Sequence, residues 1–341
     1  MSHYHTLTVA RVIDETHDSK SIVFELPDSL RVAFRYASGQ FLTLRTPHPD
    51  GALPRCYSLS SSPELDEAPK VTIKRVSAGR ASNWICDQLK AGDTLEVMPP
   101  AGVFTTKNYD QDFVLFAGGS GITPVYSLAR SALLHGQGRV LLVYANRDER
   151  SIIFRDSLRQ LASDYPARLS VIHWLDSVQG VPSASQLAQL AGQLPHAEAF
   201  ICGPGPFMDA AEAALAAQGF AKGRVHVERF VSLPGENEAV LPVAPTEGPA
   251  EVALSVQLDG VHYQIATHGG ESLLTAMENS GVPAPHSCRV GGCASCMCKV
   301  TEGEVRLLAN SALDEADLAE GWTLACQAIP LSEKVAVAFP D

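Results

Sequence analysis

The spacing of the cysteines near the carboxyl end constrains this chain more than any other feature of its sequence. Cys288, Cys293 and Cys296 follow the pattern Cys-x4-Cys-x2-Cys, and 29 residues separate Cys296 from Cys326. This is the plant-type spacing of [2Fe–2S] proteins, in which four thiolates surround two irons. Because three of the ligands then come from one loop, this part of the chain has to wrap closely around a cluster.

The alternative for these cysteines is a structural zinc site. Zinc ligands commonly come in paired Cys-x2–4-Cys turns, whereas the second half of this pattern offers Cys326 alone. Cys298 is a competing ligand, but it comes two residues after Cys296 and we expect its side chain to point away from the loop. In a reducing cytosol clustered cysteines bind metal more often than they form disulfides. The pattern therefore favours the iron–sulfur cluster.

Composition and charge exclude several classes of protein. The chain has 341 residues, of which 45% are hydrophobic and 19% charged, and its net charge of −12 argues against binding to a nucleic-acid backbone. No apolar run approaches the roughly 18 residues of a membrane helix. The first residues lack the basic and apolar regions of a signal peptide. We therefore expect a cytoplasmic protein of two or three domains.

The rhythm of apolar residues divides the chain into three domains and a linker. Short β-type runs broken by Pro and Gly over residues 1–106 predict an antiparallel barrel or sandwich. Residues 107–230 alternate strands with helices, one of them over 149–165, which predicts a doubly wound α/β domain with a parallel sheet. Residues 231–250 predict a flexible linker. Residues 251–341 predict a small α+β domain around the cysteine-rich loop.

Two glycine-rich turns follow strands of the predicted α/β domain. Residues 118–124 are Gly-Gly-Ser-Gly-Ile-Thr-Pro, and residues 202–206 are Cys-Gly-Pro-Gly-Pro. Glycines at such turns let the backbone approach a pyrophosphate. Either turn alone is also compatible with a tight strand-to-helix connection. Together, at the carboxyl ends of two strands in one sheet, they predict a dinucleotide site.

Two segments of the predicted barrel are suited to phosphate. Arg55 can pair bidentately with a phosphate, and it shares one face of its strand with Tyr57. Residues 79–82 lead into a helix and offer backbone amides and the hydroxyl of Ser82. Such residues on a strand are usually ordinary surface residues, so these signals depend on their context.

The motifs, taken in order, resemble a known superfamily. Arg-x-Tyr-Ser, Gly-x-x-Ser, Gly-Gly-Ser-Gly-Ile-Thr-Pro and Cys-Gly-Pro-Gly-Pro-Phe resemble the ferredoxin–NADP reductase superfamily, and the cysteine pattern resembles plant-type ferredoxin. The domain order resembles the reductase components of bacterial oxygenases, most closely the 3-ketosteroid 9α-hydroxylase reductases, with phenylacetyl-CoA oxygenase reductases near them. This resemblance covers nearly all of the chain except the linker. It implies an FAD-binding antiparallel β-barrel, an NAD(P)-binding α/β domain and a β-grasp ferredoxin domain.

The resemblance also implies roles for individual residues. It places Tyr57 against the flavin ring, Ser58 near the reactive flavin nitrogen, and Cys202 near the hydride-donating carbon of the nicotinamide. It implies an aromatic role over the other flavin face for Phe230, and a weaker role for Glu228. The implied flavin-binding residues are Arg55, Tyr57, Ser58, Lys74, Gly79, Ala81 and Ser82, and the implied nicotinamide-binding residues are Gly119, Thr123, Cys202 and Gly203. The implied catalytic residues are Ser58, Cys202 and Phe230, and the cluster ligands are Cys288, Cys293, Cys296 and Cys326.

The choice between NADH and NADPH depends on the segment Arg147-Asp148-Glu149-Arg150. An arginine after this strand can accept the 2′-phosphate of NADPH, whereas acidic side chains repel it. The two acids favour NADH slightly, and both nucleotides stay open.

We therefore predict an oxidoreductase that passes electrons from NAD(P)H through FAD and a [2Fe–2S] cluster to a partner oxygenase, which we expect to be a non-haem iron enzyme. A flavin accepts a hydride and releases single electrons, so the two modules belong together. Residues 251–341 carry 12 acidic and 4 basic side chains, which indicates either a solvated face or a docking surface for a basic partner. Phenylacetyl-CoA and aromatic-ring oxygenase reductases, and a redox sensor without turnover, are the alternatives.

Overall fold

The structure is a computed structural model that describes residues 4–49, 52–66, 68–230, 248–286, 289–310, 312–313 and 315–340. The chain forms two compact units. One contains the described residues up to 48 and from 57 to 230, and the other contains those of 49–56 and of 231–341. Most of the predicted linker lies outside the described residues. Within them, no helix has the length and apolarity needed to span a bilayer.

The amino-terminal strands of the chain form a closed antiparallel barrel, as predicted. Its strand order is β4-β3-β6-β1-β2-β5. An antiparallel bridge between Leu59, which follows β4, and Val71 on β5 joins the two outer strands and closes the sheet. In β6 the apolar side chains of Leu95 and Val97 are buried while their polar neighbours are exposed, which is the alternation expected of a strand with one face on the core. The elements are β1 (His5–Thr16), β2 (Ser19–Glu25), β3 (Phe41–Thr46), β4 (Leu53–Ser58), β5 (Lys70–Lys74), α1 (Arg80–Gln88) and β6 (Thr94–Val97).

The rest of the first unit is a parallel five-stranded sheet in the order β11-β10-β7-β8-β9. Every residue of β7 and β8 is buried, because hydrophobic cores form on both faces of this sheet. This confirms the predicted doubly wound α/β fold. Its strands are β7 (Phe113–Gly118), β8 (Val140–Asn146), β9 (Leu169–Leu175), β10 (Glu198–Cys202) and β11 (Val225–Glu228). Its helices are α2 (Ile122–His135), α3 (Arg155–Asp164), α4 (Asp176–Gln179), α5 (Ala184–Ala191) and α6 (Gly205–Ala217).

Three helices of the α/β domain differ from the sequence-based expectation: α3 begins later, and α4 and α5 are not among the predicted elements. The helix predicted from residue 149 begins only at Arg155, because Phe154 has a left-handed backbone with φ +59°, and only a short 3₁₀ helix, Glu149–Ser151, precedes it. Helix α5 was not anticipated, although Ser183 and Gln186 form a capping box at its start. A capping signal of this kind marks a helix start and would have located α5.

The second unit contains a mixed sheet in the order β13-β12-β18-β14-β16, in which β12 and β18 are parallel and the other pairs are antiparallel. Helix α7 packs its apolar face against this sheet, with Leu273 and Met277 fully buried. This confirms the predicted α+β class. The elements are β12 (Val252–Leu258), β13 (Val261–Thr267), α7 (Leu273–Asn279), β14 (Met297–Glu302), β15 (Val305–Leu307), α8 (Glu315–Ala319), β16 (Trp322–Leu324), β17 (Ala328–Pro330) and β18 (Lys334–Ala338).

Two glycines of the barrel domain allow a test of its packing. Gly39 and Gly92 both have left-handed φ angles, +95° and +92°, so an alanine costs about 1–2 kcal/mol of backbone strain at either position. A Cβ atom at Gly39 would lie 1.8 Å from the carbonyl oxygen of Phe104, whereas a Cβ atom at Gly92 would have nothing within 4 Å. We therefore expect Gly39→Ala to lower the free energy of unfolding by at least about 2 kcal/mol more than Gly92→Ala. Thermal melting of both variants measures this, and equal losses would contradict it.

Candidate functional site

The two predicted glycine turns meet at the carboxyl edge of the parallel sheet, because β7 and β10 are neighbouring strands. A Cβ atom at Gly121 would lie 2.0 Å from the carbonyl oxygen of Cys202, and one at Gly203 would lie 3.0 Å from the Cα atom of Gly118. Real Cβ atoms are not found at the first distance. Only glycine therefore fits here, and the two turns lie backbone against backbone beside one crevice.

Side-chain hydrogen bonds hold the first of these turns in place. The hydroxyl of Tyr144 donates to the carbonyl oxygen of Gly119 at 3.0 Å, and Gly119 has a left-handed φ of +52°. Thr123, a predicted nicotinamide contact, is 2% exposed and donates its hydroxyl to the carbonyl oxygen of Ser120 at 3.0 Å. The arrangement indicates that Thr123 shapes the turn, while Gly119 presents open backbone to the crevice.

Ser58, Cys202 and Glu228 come together at one point of the first unit. The Ser58 hydroxyl donates to Oε2 of Glu228 at 3.1 Å, and Glu228 pairs in register with Cys202 across β10 and β11. Burial raises the pKa of Glu228 to about 8, although the Ser58 hydrogen bond lowers it in part. The pKa of the Cys202 thiol is raised mainly by burial and to a smaller extent by the neighbouring Glu228. At neutral pH the carboxyl group is therefore mostly protonated and Cys202 is a thiol, so this point carries little charge.

Phe230 follows Glu228 closely in the chain but is exposed. Phe230 lies two residues after Glu228, and its side chain is 47% exposed. The preceding Arg229 is paired with Asp209 and Glu212 of α6 at 2.9 and 2.7 Å, which fixes the chain just after β11. The aromatic role of Phe230 stays a prediction. Glu228, a weaker candidate from the sequence, contacts Ser58 and pairs in register with Cys202. The sequence pointed to Glu228 only through its place beside Phe230 in the family resemblance, and the register of β11 with β10 brings it next to Cys202.

The predicted flavin phosphate site lies at the start of α1. Gly79 is the N-terminal cap residue of this helix, and a Cβ atom there would lie 2.5 Å from the Ser82 hydroxyl. That hydroxyl accepts a hydrogen bond from the backbone N–H of Val76 at 3.2 Å, and Ala81 is 3% exposed. The first turn of a helix leaves backbone N–H groups without helical partners, and these are suited to a pyrophosphate. The segment therefore fits FAD through its backbone more than through the Ser82 hydroxyl.

The other predicted flavin residues lie on two strands. Arg55 and Tyr57 on β4 are half-buried, and Tyr57 packs against the barrel core. Lys74 ends β5, and its Nζ lies 3.7 Å from where a Cβ atom would stand at Gly119. Lys74 thus points toward the first glycine turn, which contains Gly119. Burial lowers the pKa of Lys74, and Asp18, at 3.8 Å from its Nζ, opposes that shift.

Three of the four predicted cluster ligands are described, and they lie near one another. The backbone N–H of Cys326 lies 3.5 Å from Sγ of Cys296. A hydrogen bond between these two side chains raises the pKa of Cys296 and lowers that of Cys326, and Cys293 is close enough to raise both. Cys288 lies outside the described residues. In the part of the chain that the structure describes, no three His, Cys, Asp or Glu side chains already form a metal site.

The loop around these thiols fits a cluster bound by sulfur alone. Gly291 has a left-handed φ of +75°, and a Cβ atom there would lie 2.5 Å from the carbonyl oxygen of Ala309. Its backbone N–H donates toward Cys326, and Gln327 donates to the carbonyl oxygen of Arg289 at 2.8 Å. Thiols are the donors that iron–sulfur clusters require. Cys298 is fully buried in the apolar core.

Three family models match the chain. They are an oxidoreductase FAD-binding domain over residues 6–106, an oxidoreductase NAD-binding domain over residues 115–213, and a 2Fe-2S iron-sulfur cluster binding domain over residues 256–331. Together they establish the cofactor classes of the three domains: FAD, nicotinamide dinucleotide and a [2Fe–2S] cluster. They confirm the three-domain architecture.

Similar curated proteins are components of oxygenase systems. The chain is 50% identical to a 3-ketosteroid-9-alpha-monooxygenase ferredoxin reductase component of Rhodococcus rhodochrous, covering 98% of this chain and 96% of that one. It is 36% identical to a component of the 1,2-phenylacetyl-CoA epoxidase of Escherichia coli (strain K12), covering 99% and 98%. The chain belongs to the family of oxygenase reductases. This confirms a flavin- and nicotinamide-dependent oxidoreductase.

Solved structures share the fold of this oxygenase reductase. Phthalate dioxygenase reductase, with 23% identity, matches with a TM-score of 0.60 over 98% of both chains. The cytochrome P450 CYP116B46 from Tepidiphilus thermophilus, with 27% identity, matches with a TM-score of 0.72 over 98% of this chain. The reductase spans 42% of that P450 chain.

Replacing Glu228 with glutamine should change how the stability of the reductase depends on pH. The folded-state pKa of about 8 lies above the ordinary value of 4.5. The stability that the protonated carboxyl group contributes is therefore complete below about pH 4.5 and is lost as the pH rises toward 8. As the pH rises from 5 to 8.5, the free energy of unfolding of Glu228→Gln should therefore increase by about 1–3 kcal/mol relative to that of the wild type. The increase is limited because partial exposure leaves the carboxylate some hydration.

Thermal melting at the two pH values measures this difference. Glu25→Gln is the control, because it removes an exposed carboxylate of β2 and should show no such gain. A constant difference between wild type and Glu228→Gln across this pH range would contradict the prediction.

Serine substitutions should separate the cluster ligands from the other cysteine in this region. We expect Cys293→Ser, Cys296→Ser and Cys326→Ser each to abolish the visible [2Fe–2S] absorption, because each removes one of four thiolates. Cys298→Ala should keep it, because Cys298 is 0% exposed in the core. Absorption spectra and iron content measure the outcome. Zinc in place of iron in the wild type, or loss of the bands in Cys298→Ala, would contradict the assignment.

Proposed function

We propose that this chain is the reductase of a 3-ketosteroid 9α-monooxygenase system, with NADH as electron donor and a non-haem iron oxygenase as partner. The observation that carries the proposal is the similarity over the full length to reductase components with that name. Beside the Rhodococcus rhodochrous protein, the chain is 46% identical to the reductase component of Mycolicibacterium smegmatis over 100% of this chain and 98% of the relative. The epoxidase component is less similar.

The proposed cofactor-binding residues are taken mainly from the sequence-based prediction. Arg55, Tyr57 and the first turn of α1 bind FAD, and Gly119, Cys202 and Gly203 line the nicotinamide crevice. Ser58, Cys202 and Glu228 surround the point of hydride transfer, and Cys288, Cys293, Cys296 and Cys326 bind the cluster. The flavin, when bound, accepts a hydride and releases single electrons, and the cluster carries one electron at a time.

The geometry supports a hydride-transfer site that holds and orients its reactants without a charged catalyst. Glu228 and Cys202 are uncharged at neutral pH because burial raises both pKa values. The Ser58 hydroxyl is 3% exposed and is oriented by Glu228. A hydride moves between two carrier molecules without a general acid, so a neutral, water-poor surround is suited to this step. The backbone contact of the two glycine turns positions the crevice wall beside it.

The proposed domain limits are 1–106 for the FAD domain, 107–230 for the NAD domain, 231–250 for the linker and 251–341 for the ferredoxin domain. Each family match lies inside one of the three predicted domains. The excess of acidic side chains in the last domain supports docking to a basic surface of the oxygenase.

The first test is an anaerobic spectral titration of the purified protein, followed by reconstitution. We expect NADH to bleach both the flavin and the [2Fe–2S] bands at lower concentration than NADPH. The reductase should then support hydroxylation of a 3-ketosteroid by the Rhodococcus rhodochrous oxygenase component, with a rate that falls as salt rises. The control is the Escherichia coli phenylacetyl-CoA epoxidase, prepared without the component that is similar to this chain.

The outcomes separate the alternatives. A higher rate with the epoxidase than with the steroid oxygenase would favour the phenylacetyl-CoA assignment. Bands that neither nucleotide bleaches, with no reduction of an artificial acceptor, would favour the redox sensor. A rate that does not change with salt would contradict docking by charge.

A further inference from the structure

A carboxylate from the barrel reaches the nicotinamide edge of the first unit. Asp18 lies in the tight turn between β1 and β2, and its side chain is 14% exposed. Its Oδ2 lies 3.1 Å from a terminal nitrogen of Arg147 and 3.8 Å from Nζ of Lys74. No local sequence pattern marks Asp18, because 129 residues separate it from Arg147.

The two cations that Asp18 contacts both lie at the dinucleotide crevice. Arg147 directly follows β8, at the carboxyl edge of the parallel sheet, where sheets of this kind bind their ligands. Lys74 lies beside Gly119 of the first glycine turn. Arginine and lysine at such an edge are the groups that pair with the phosphates of a dinucleotide, and an arginine there accommodates a 2′-phosphate.

The turn holds the Asp18 carboxylate toward these cations. Its Oδ1 accepts hydrogen bonds from the hydroxyls of Thr16 at 2.8 Å and Ser19 at 3.2 Å. Oδ2 therefore faces Arg147 and Lys74, and Nε2 of His17 lies 3.9 Å from it. Burial acts to raise the pKa of Asp18, but the Thr16 hydroxyl and Lys74 more than offset this effect and lower it overall. Asp18 is therefore ionised at neutral pH.

We propose that Asp18 is a specificity-determining residue for the nucleotide. Its carboxylate acts as an internal counter-ion to Arg147 and Lys74, and in this way it disfavours NADPH relative to NADH. A phosphate that binds to these cations has to compete with the carboxylate and is repelled by it. The repulsion is larger for NADPH, because its 2′-phosphate adds about two negative charges beside Arg147. The inference rests on the proposed function, since it concerns the nicotinamide dinucleotide of that site.

The test is the affinity of the intact, cofactor-loaded protein for NAD⁺ and NADP⁺, which bind without reducing it. Asp18→Asn keeps an oxygen for the Thr16 and Ser19 hydroxyls but removes the charge. We expect it to bind NADP⁺ about tenfold more tightly than the wild type and NAD⁺ only about two- to threefold more tightly. Isothermal titration calorimetry measures both dissociation constants.

The control is Asp14→Asn, which makes the same change of net charge in β1, the strand that precedes the Asp18 turn. Asp14 is 79% exposed and pairs with Lys20 at 3.2 Å rather than with Arg147 or Lys74. Its substitution should change either affinity less than about twofold. The difference between the two variants therefore reports the local effect of Asp18 and not the overall charge.

A double variant isolates the role of Arg147. If Asp18 acts by holding Arg147, then Asp18→Asn should lose most of its added NADP⁺ affinity when Arg147→Gln is present. Asp18→Ser, which keeps a hydroxyl in the turn, is a second variant with the same expected result should Asp18→Asn fail to fold.

Equal affinities of Asp18→Asn and Asp14→Asn, or an equal gain for both nucleotides, would overturn the inference while leaving the proposed function intact. A full NADP⁺ gain that persists without Arg147 would also overturn it. A wild-type protein that binds neither nucleotide would overturn the proposed function, and the inference with it.

Discussion

The close contact between two glycine turns is the constraint on which the nicotinamide site depends. Neighbouring strands of a sheet lie about 4.8 Å apart, and the chains that leave β7 and β10 must turn within that spacing. Gly121 against the carbonyl group of Cys202, and Gly203 against Gly118, leave no room for a Cβ atom. Because the turns touch, Cys202 is held at the end of β10. Register across β11 then places Glu228 beside it, within reach of Ser58.

This arrangement separates a neutral end of the crevice from a charged one. Around Cys202 and Glu228 burial keeps both groups protonated at neutral pH, so no fixed charge opposes the movement of a hydride. Lys74 lies beside Gly119, and Asp18 lies within 4 Å of both Lys74 and Arg147, which we propose as the cations that meet the phosphates. One sheet edge therefore supplies two electrostatic environments, and each is suited to a different part of one dinucleotide.

Local patterns in the sequence were sufficient to predict the fold class, the glycine turns and the [2Fe–2S] domain, because each is indicated by residues that are close in the chain. The contacts between distant residues were not predictable in this way. Ser58 and Glu228 are 170 residues apart, and their hydrogen bond exists only because β11 lies beside β10 at the edge of the sheet. The late start of α3 depends on the left-handed backbone of Phe154, which a bulky residue rarely adopts and which no composition rule indicates.

The cysteines show how structure decides the chemistry of one residue type. Cys202 and Cys298 are both fully buried, and burial raises the pKa of each, so both remain thiols and pack as small apolar side chains. Cys296 and Cys326 are also buried, but each faces the other, and the hydrogen bond between them raises the pKa of Cys296 and lowers that of Cys326. Cys298 comes only two residues after Cys296. Cys298 lies inside strand β14, where it pairs with Thr323 of β16, whereas the predicted ligand Cys296 lies just before this strand.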